Sequence, residues 1–339
     1  MDNKPKFKPN PKLKLMDQVR EVLRFYHYSY RTEQSYCKWI LRYVRYYDGK
    51  HHPKDMGKVE IERFLSHLAT DLNVAPSTQN QAFNALLFLY EKVLHIPFAK
   101  NISATRSKRS PKIPTVLTQA EVKRLFSHLK GNNRLMAGLL YGCGLRLMEC
   151  LRLRIMDIDF GQQTLRVHDG KGGKDRVVPL PLKIKKELQS HIDGVIALHA
   201  ADLEEGYGEV YLPDALARKY KNAPKETAWQ YVFPAKKRSN DPRTGAIRRH
   251  HVLPSGLQKA VKRAVDKARI YKKAGCHTLR HSFAVHLLEN GVTIRVVQKL
   301  MGHADVKTTE IYTHVMNSDI NAAQSPLDLL YTDKKKSAA

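Results

Sequence analysis

"HTLRHSFA", residues 277–284, carries His277, Arg280 and His281 at spacings i, i+3 and i+4. On a helix those spacings place all three side chains on one face. Three such residues rarely share a buried surface unless an anion sits against them, so an anionic ligand is expected there. From Cys276 onward the pattern predicts three helical segments separated at Gly291 and Gly302, where glycine suits the left-handed position that ends a helix.

Upstream, "TQAE" puts Thr118 and Glu121 in capping-box spacing ahead of a helix with Val122, Leu125 and Leu129. A second helix through Leu135–Tyr141 meets "GCG", where Gly142 and Gly144 break or turn the chain. "LRLMECLRLRIMDIDF" then reads as renewed helix, with Arg146 and Glu149 one turn apart. "TLRVHDGKGGKDRVVPL" alternates apolar and polar residues on both sides of a glycine-rich turn, which predicts a β-hairpin with Lys171 near its tip. Residues 181–235 predict an amphipathic stretch to about Ala201, then short helices and a strand ending near Phe233. No internal repeat is visible.

The first part of the chain is read as helical. Tyr36, Trp39, Ile40, Tyr43, Val44 and Tyr47 recur with helical period, as do Ile61, Phe64, Leu65 and Leu68. A fourth helix is expected after Ser77 as N-cap, with Phe83, Leu86, Leu87, Tyr90, Val93 and Leu94 inward. These aromatic residues read as bundle core before they read as a base-stacking platform. The boundaries follow: a basic, flexible arm over 1–14, a helical domain over 15–98, a basic linker over 99–115, a second domain over 116–332 and a basic tail over 333–339.

The chain has 339 residues, long enough for two cores. Lys and Arg number 59 against 32 Asp and Glu, giving a net charge of +27. Such a field favours a polyanion, nucleic acid first, although a basic ribosomal protein or a merely cationic surface shares the composition. Cys37, Cys143, Cys150 and Cys276 form no Cys-x-x-Cys pair, so they read as free thiols in a reducing compartment, and a structural zinc is not expected. With no apolar run of about 20 residues and no secretory signal pattern, the expected location is cytoplasmic.

The ordered set "GCGLRLMECLRL", "GKGGKDR", "HTLRHSFA" and "LMGHADVKTTEIYTHV" resembles the tyrosine recombinases, the site-specific DNA integrases. The resemblance implies a mainly α fold with a small β component (α+β), in which a SAM-like core-binding domain and a catalytic domain form a C-shaped clamp on DNA. It places the active residues on Arg146, Lys171, His277, Arg280, His303 and the nucleophile Tyr312. Two guanidiniums suit the non-bridging oxygens of a phosphodiester and the added charge of its pentacoordinate transition state. A phenol of ordinary pKa near 10 needs a base or positive charge, which His277 can supply. His303 would bind the phosphate, and Lys171 would protonate the departing 5′ oxygen. Lys174 is read as solvated and His281 as packing or support. No carboxylate cluster for divalent cations is seen, so neither cofactor nor ATP is expected. Attack would leave a 3′-phosphotyrosine and a free 5′ hydroxyl.

The long segment between Lys171 and His277 resembles the integron integrases, with an insertion at about 190–222 in which that family carries an additional helix. That resemblance implies a bacterial, nucleoid-associated homotetramer recombining duplex attachment sites with cassette sites folded from one strand. Leu327, Leu329 and Leu330 in the tail are candidates for exchange between subunits, or for covering their own domain. Trp229 would stack an unstacked base, His250 and His251 would stack or hydrogen-bond, and Arg248 and Arg249 would hold phosphates. A core role for Trp229 in its "YVF" setting is the competing, lesser reading. Cys276 stands where many relatives have proline. Another kind of tyrosine recombinase, a type IB topoisomerase-like cut-and-reseal enzyme and a non-enzymatic DNA-binding architectural protein are the competing readings.

Overall fold

The computed structural model describes residues 7–98, 101–108, 114–168 and 175–313. The chain divides into two compact units, residues 1–112 and 113–339. Among the described residues the fold is mainly helical with two small antiparallel sheets.

The first unit packs four helices, α1 (Leu15–Phe25), α2 (Tyr30–Tyr46), α3 (Lys58–Thr70) and α4 (Pro76–Phe88). Ser29 starts α2 by accepting from the Thr32 N–H at 3.2 Å, a cap worth about 1 kcal/mol. The predicted apolar faces meet in one core, with Leu23, Ile40, Tyr43, Leu68, Leu86 and Leu89 fully buried. Two buried phenols satisfy each other there: Tyr43 and Tyr90 are 3.0 Å apart, and Tyr90 donates to the Met56 carbonyl. The fourth helix begins two residues earlier than expected. Ala75 is its N-cap and Pro76 its first residue, where the missing N–H costs nothing. It runs into a π-helical turn, Leu89–Val93.

Parts of the expected arm and linker are held by this unit. Phe7 stacks on Phe25 at 4.2 Å, and Asn10 N–H donates to Glu21. Ser103, Thr105 and Ser107 donate backbone N–H groups to Glu62, Ser66 and Gln79, and Gln79 returns a bond to the Thr105 carbonyl.

In the second unit, α5 (Gln119–Ser127) opens on the predicted capping box, with Thr118 and Glu121 exchanging bonds at 2.8 and 3.2 Å. After α6 (Gly131–Gly142) the chain turns at Gly144, whose φ is +62°; a Cβ there would overlap the Phe283 ring. The renewed helix is shorter than expected: α7 spans Leu147–Leu151 only. Its continuation is drawn off because Leu153 and Ile155 exchange backbone bonds with Val232 and Gln230. A three-stranded sheet follows, β1 (Ile158–Asp159), β2 (Thr164–Val167) and β3 (Arg176–Pro179) in that order, with Thr164 opposite Pro179. β2 and β3 are the arms of the predicted hairpin, whose tip falls outside the described residues.

The long α8 (Leu182–Glu204) is followed by a short α9 (Asp214–Lys219). The strand expected near Phe233 is replaced by isolated bridges, Arg154 to Tyr231 and Pro234 to His251, because the segment changes partner at Pro234, which has no N–H. A two-residue ribbon, β4 (Ser239–Asn240) with β5 (Ile247–Arg248), leads to α10 (Pro254–Lys267). α11 (Cys276–Glu289), α12 (Ile294–Met301) and α13 (Lys307–Glu310) are the three helical segments predicted at the end, with Gly291 and Gly302 at φ +81° and +61° between them. α11 is buried along most of its length. The four cysteines are free and buried. No described helix is long and apolar enough to cross a membrane.

Candidate active site

Arg280 projects from the buried helix α11 and is 4% exposed. Its fork donates to the carbonyls of Gly144 and Met301, the latter at 2.6 Å, and meets His303 Nε2 at 3.2 Å. The two left-handed glycines make this possible, since Gly144 and Gly302 turn the chain just where those carbonyls are needed. Burial, then the charge of Arg146, lowers the guanidinium pKa to about 10, so it stays charged at neutral pH.

Arg146 sits at the start of α7. It donates to Glu149 Oε1 at 2.6 Å and to the Gly302 carbonyl at 3.2 Å. Glu149 is shared: Arg176 reaches both its oxygens at 3.1 and 2.7 Å, and Arg280 lies 3.7 Å away. Burial pushes this carboxyl up, but the hydrogen bond and charge of Arg176, followed by Arg146, overcome it and hold the pKa at about 2. Three guanidiniums therefore surround one carboxylate. An excess of buried positive charge of this kind is stabilised by a further anion.

His303 follows Gly302 and pairs its Nδ1 with Thr309 Oγ1 at 2.9 Å. Burial and the charges of Arg280 and Arg146 lower its pKa to about 4, so the ring is neutral and its Nε2 accepts from Arg280. Tyr312 is 1% exposed, and its ring lies 6.3 Å from that of His303 at an interplanar angle of 20°. Burial raises the phenol pKa, while Arg280 and Arg146 oppose the rise.

The partner of that phenol differs from the sequence-based expectation. His281, expected only to pack or support, has its Nδ1 2.9 Å from the Tyr312 oxygen. His277 lies on the exposed side of α11, its ring 6.4 Å from that of His281, and no hydrogen bond joins it to Tyr312. The helix explains the difference, because His281 stands about one turn further along α11 than His277, at the level of the Tyr312 phenol. Lys171 and Lys174 lie outside the described residues. Arg176 escaped the sequence reading, although strand alternation offered a signal: it shares the buried phase of β3 with Val178.

The insertion residues are placed differently. Trp229 is half-buried; Arg154 stands 5.6 Å over its ring, and Tyr220 lies 6.1 Å away. His250 is exposed, 4.1 Å from the ring of His251 and 5.4 Å from that of Tyr231. Arg248 is partly exposed and pairs with Asp241 at 3.3 Å and Glu209 at 3.6 Å. Arg249 is taken up by the fold: it grips Asp202 through two bonds of 2.5 and 2.7 Å and donates to the carbonyls of Ala235 and Lys236. His251 is buried, edge-on to Tyr231, with Nδ1 at the Val252 carbonyl. Among the described residues, no group of three or more His, Cys, Asp or Glu side chains is placed to hold a metal ion.

Residues 115–318 match the sequence profile of the phage integrase family, and residues 15–100 that of the phage integrase N-terminal SAM-like domain. The chain belongs to the phage integrase family, the tyrosine recombinases. It is 46% identical over 324 residues to an integrase/recombinase of Escherichia coli, covering 95% of each chain. It is 32% identical to a tyrosine recombinase of Thermosipho africanus, covering 90% of this chain and 97% of that one. The XerH site-specific recombinase bound to palindromic difH substrate shares its fold, with a TM-score of 0.57 at 20% identity over 95% of this chain and 99% of that one. As a tyrosine recombinase, the protein is a DNA strand-transferring enzyme.

Proposed function

We propose that this recombinase is of the integron-integrase type, integrating and excising gene cassettes at duplex attachment sites and at cassette sites folded from a single strand. The observation that carries its chemistry is the convergence of Arg146, Arg176 and Arg280 on one carboxylate beside the buried phenol of Tyr312. A scissile phosphodiester is the second anion that this charge calls for. Two N–H groups of Arg280 remain beyond those bonded to carbonyls and His303, one on Nε and one on Nη1, and are open to non-bridging oxygens. Arg146 provides the second guanidinium.

In this reading the Tyr312 oxygen attacks phosphorus as its proton leaves to solvent, the bond to the 5′ oxygen breaks, and Lys171 protonates that oxygen. The resulting 3′-phosphotyrosine conserves the energy of the bond. A 5′ hydroxyl from a partner strand then attacks it, freeing the phenol and rejoining DNA in a new pairing within a homotetramer. His303 contributes a phosphate contact in the tautomer that carries its proton on Nε2, its Nδ1 then accepting from the Thr309 hydroxyl. His277, exposed beside Arg280, is left as a second phosphate ligand.

The integron type is supported by Trp229 and His250, which keep accessible aromatic surface around Arg154 and Tyr231. Such surface suits extrahelical bases. The test is covalent trapping on a folded single-stranded cassette site and on its fully paired duplex. Adducts on both, with the folded form preferred, are expected. Adducts on duplex alone would reject the single-strand reading and leave a duplex-only tyrosine recombinase.

A further inference from the structure

The contact between His281 and Tyr312 belongs to none of the assigned roles. His281 Nδ1 lies 2.9 Å from the phenol oxygen, and the two rings are 5.6 Å apart. Tyr312 itself is almost wholly enclosed. We propose that His281 is a positioning residue for the nucleophile, accepting the Tyr312 O–H so that the oxygen's free lone pair faces the scissile phosphate. This rests on the reading of Tyr312 as the nucleophile.

The geometry limits what the pair does. One turn of α11 carries both Arg280, which faces the anion position, and His281, which faces the phenol, so a single rigid helix sets phosphate and nucleophile relative to each other. An O–H aimed at His281 cannot also point at the incoming phosphate, where a proton would mask the attacking lone pair. The His281 ring is neutral, its pKa lowered to about 4 by burial and by the adjacent His277 and Arg280. A neutral ring offers Nδ1 as acceptor while Nε2 keeps the proton. The same depressed basicity, facing a phenol whose own pKa burial raises, makes full proton transfer from a resting phenol unfavourable. His281 therefore directs the phenol without ionising it before attack.

The experiment compares His281→Leu, which keeps volume and removes the acceptor, with His281→Asn, whose amide oxygen occupies nearly the Nδ1 position. Single-turnover adduct formation is measured on a nicked duplex carrying a site that wild-type protein cleaves, together with half-saturating DNA concentration. Leu is expected to slow the adduct about 100-fold with unchanged half-saturation, and Asn to recover to within about threefold of wild type. A purely packing role predicts the reverse order, since the buried apolar side chain is then the better replacement. Wild-type rates in the Leu variant, or Leu surpassing Asn, would overturn the proposal. Failure of wild type to form any Tyr312 adduct would instead reject the nucleophile assignment. Should Leu impair folding, thermal unfolding of His281→Ala, which removes the acceptor, alone and combined with Tyr312→Phe serves in its place: non-additive losses are expected because both changes remove one bond, and additive losses would refute it.

Discussion

Around Tyr312 three guanidiniums share the single carboxylate of Glu149, whereas between α8 and α10 the guanidiniums of Arg238, Arg248 and Arg249 meet four carboxylates, Asp202, Glu205, Glu209 and Asp241. Both regions look alike in sequence, being rich in Arg, His and aromatic residues. The difference lies in charge balance. A matched set is a structural fastening that holds the insertion to α8, while an unmatched set is poised to bind an anion. Basic residues alone do not mark a phosphate site; basic residues lacking their own acids do.

The largest effect in this comparison belongs to Glu149. Glu149→Gln leaves Arg176 and Arg146 facing a neutral amide in a buried setting, and a loss of about 3 to 5 kcal/mol of stability is expected along with strand cleavage. The pH dependence has a definite sign. Holding this carboxyl at about 2 against an ordinary 4.5 stabilises the fold fully above pH 4.5, and that contribution disappears as pH falls toward 2. His281 and His303, lowered to about 4, add a separate loss as pH falls from 6.5 to 4, because the unfolded chain binds those protons first. Thermal melting against pH should show both windows in wild type, and Glu149→Gln should flatten only the lower one.

Arg249→Ala tests the matched side. Removing a guanidinium that grips Asp202 should cost about 1.5 to 3 kcal/mol of stability and leave the DNA affinity of the folded protein nearly unchanged. A large loss of affinity with an unaltered melting temperature would return Arg249 to phosphate binding.

Trp229→Ala separates the two readings of a half-buried indole. A base-stacking role predicts about 1 to 3 kcal/mol weaker binding to a folded single-strand site and little change on paired duplex. A core role predicts up to about 3 to 5 kcal/mol of lost stability and equal harm to both DNAs. Urea unfolding and both affinities from one preparation distinguish them.

The helices and the hairpin arms were legible because their signals are local. Thr118 and Glu121 cap a helix from three residues apart, and Gly302 ends one by its own backbone freedom. The first helical unit followed from apolar period alone. Two local readings failed where distant chain intervened: α7 is cut short by pairing of residues 153–155 with 230–232, and the strand near Phe233 is divided between two partners. At the candidate site, the family motifs brought Arg146, Arg280, His303 and Tyr312 to notice, and they meet in space. Which acid each base faces was not legible. Glu149 lies 27 residues from Arg176, and His281 lies 31 from Tyr312, separations over which sequence pattern carries no orientation.

The central claim is that the phenol oxygen of Tyr312 is the atom that joins to DNA. Trapping the adduct on a nicked suicide duplex, digesting the protein and sequencing the DNA-linked peptide by mass spectrometry addresses it directly. Wild type is expected to carry a phosphodiester on Tyr312 and Tyr312→Phe to form no adduct, with DNA binding retained because only the phenolic oxygen is removed. DNA linked to another residue, such as Tyr331, or a persisting adduct in the Phe variant, would contradict it.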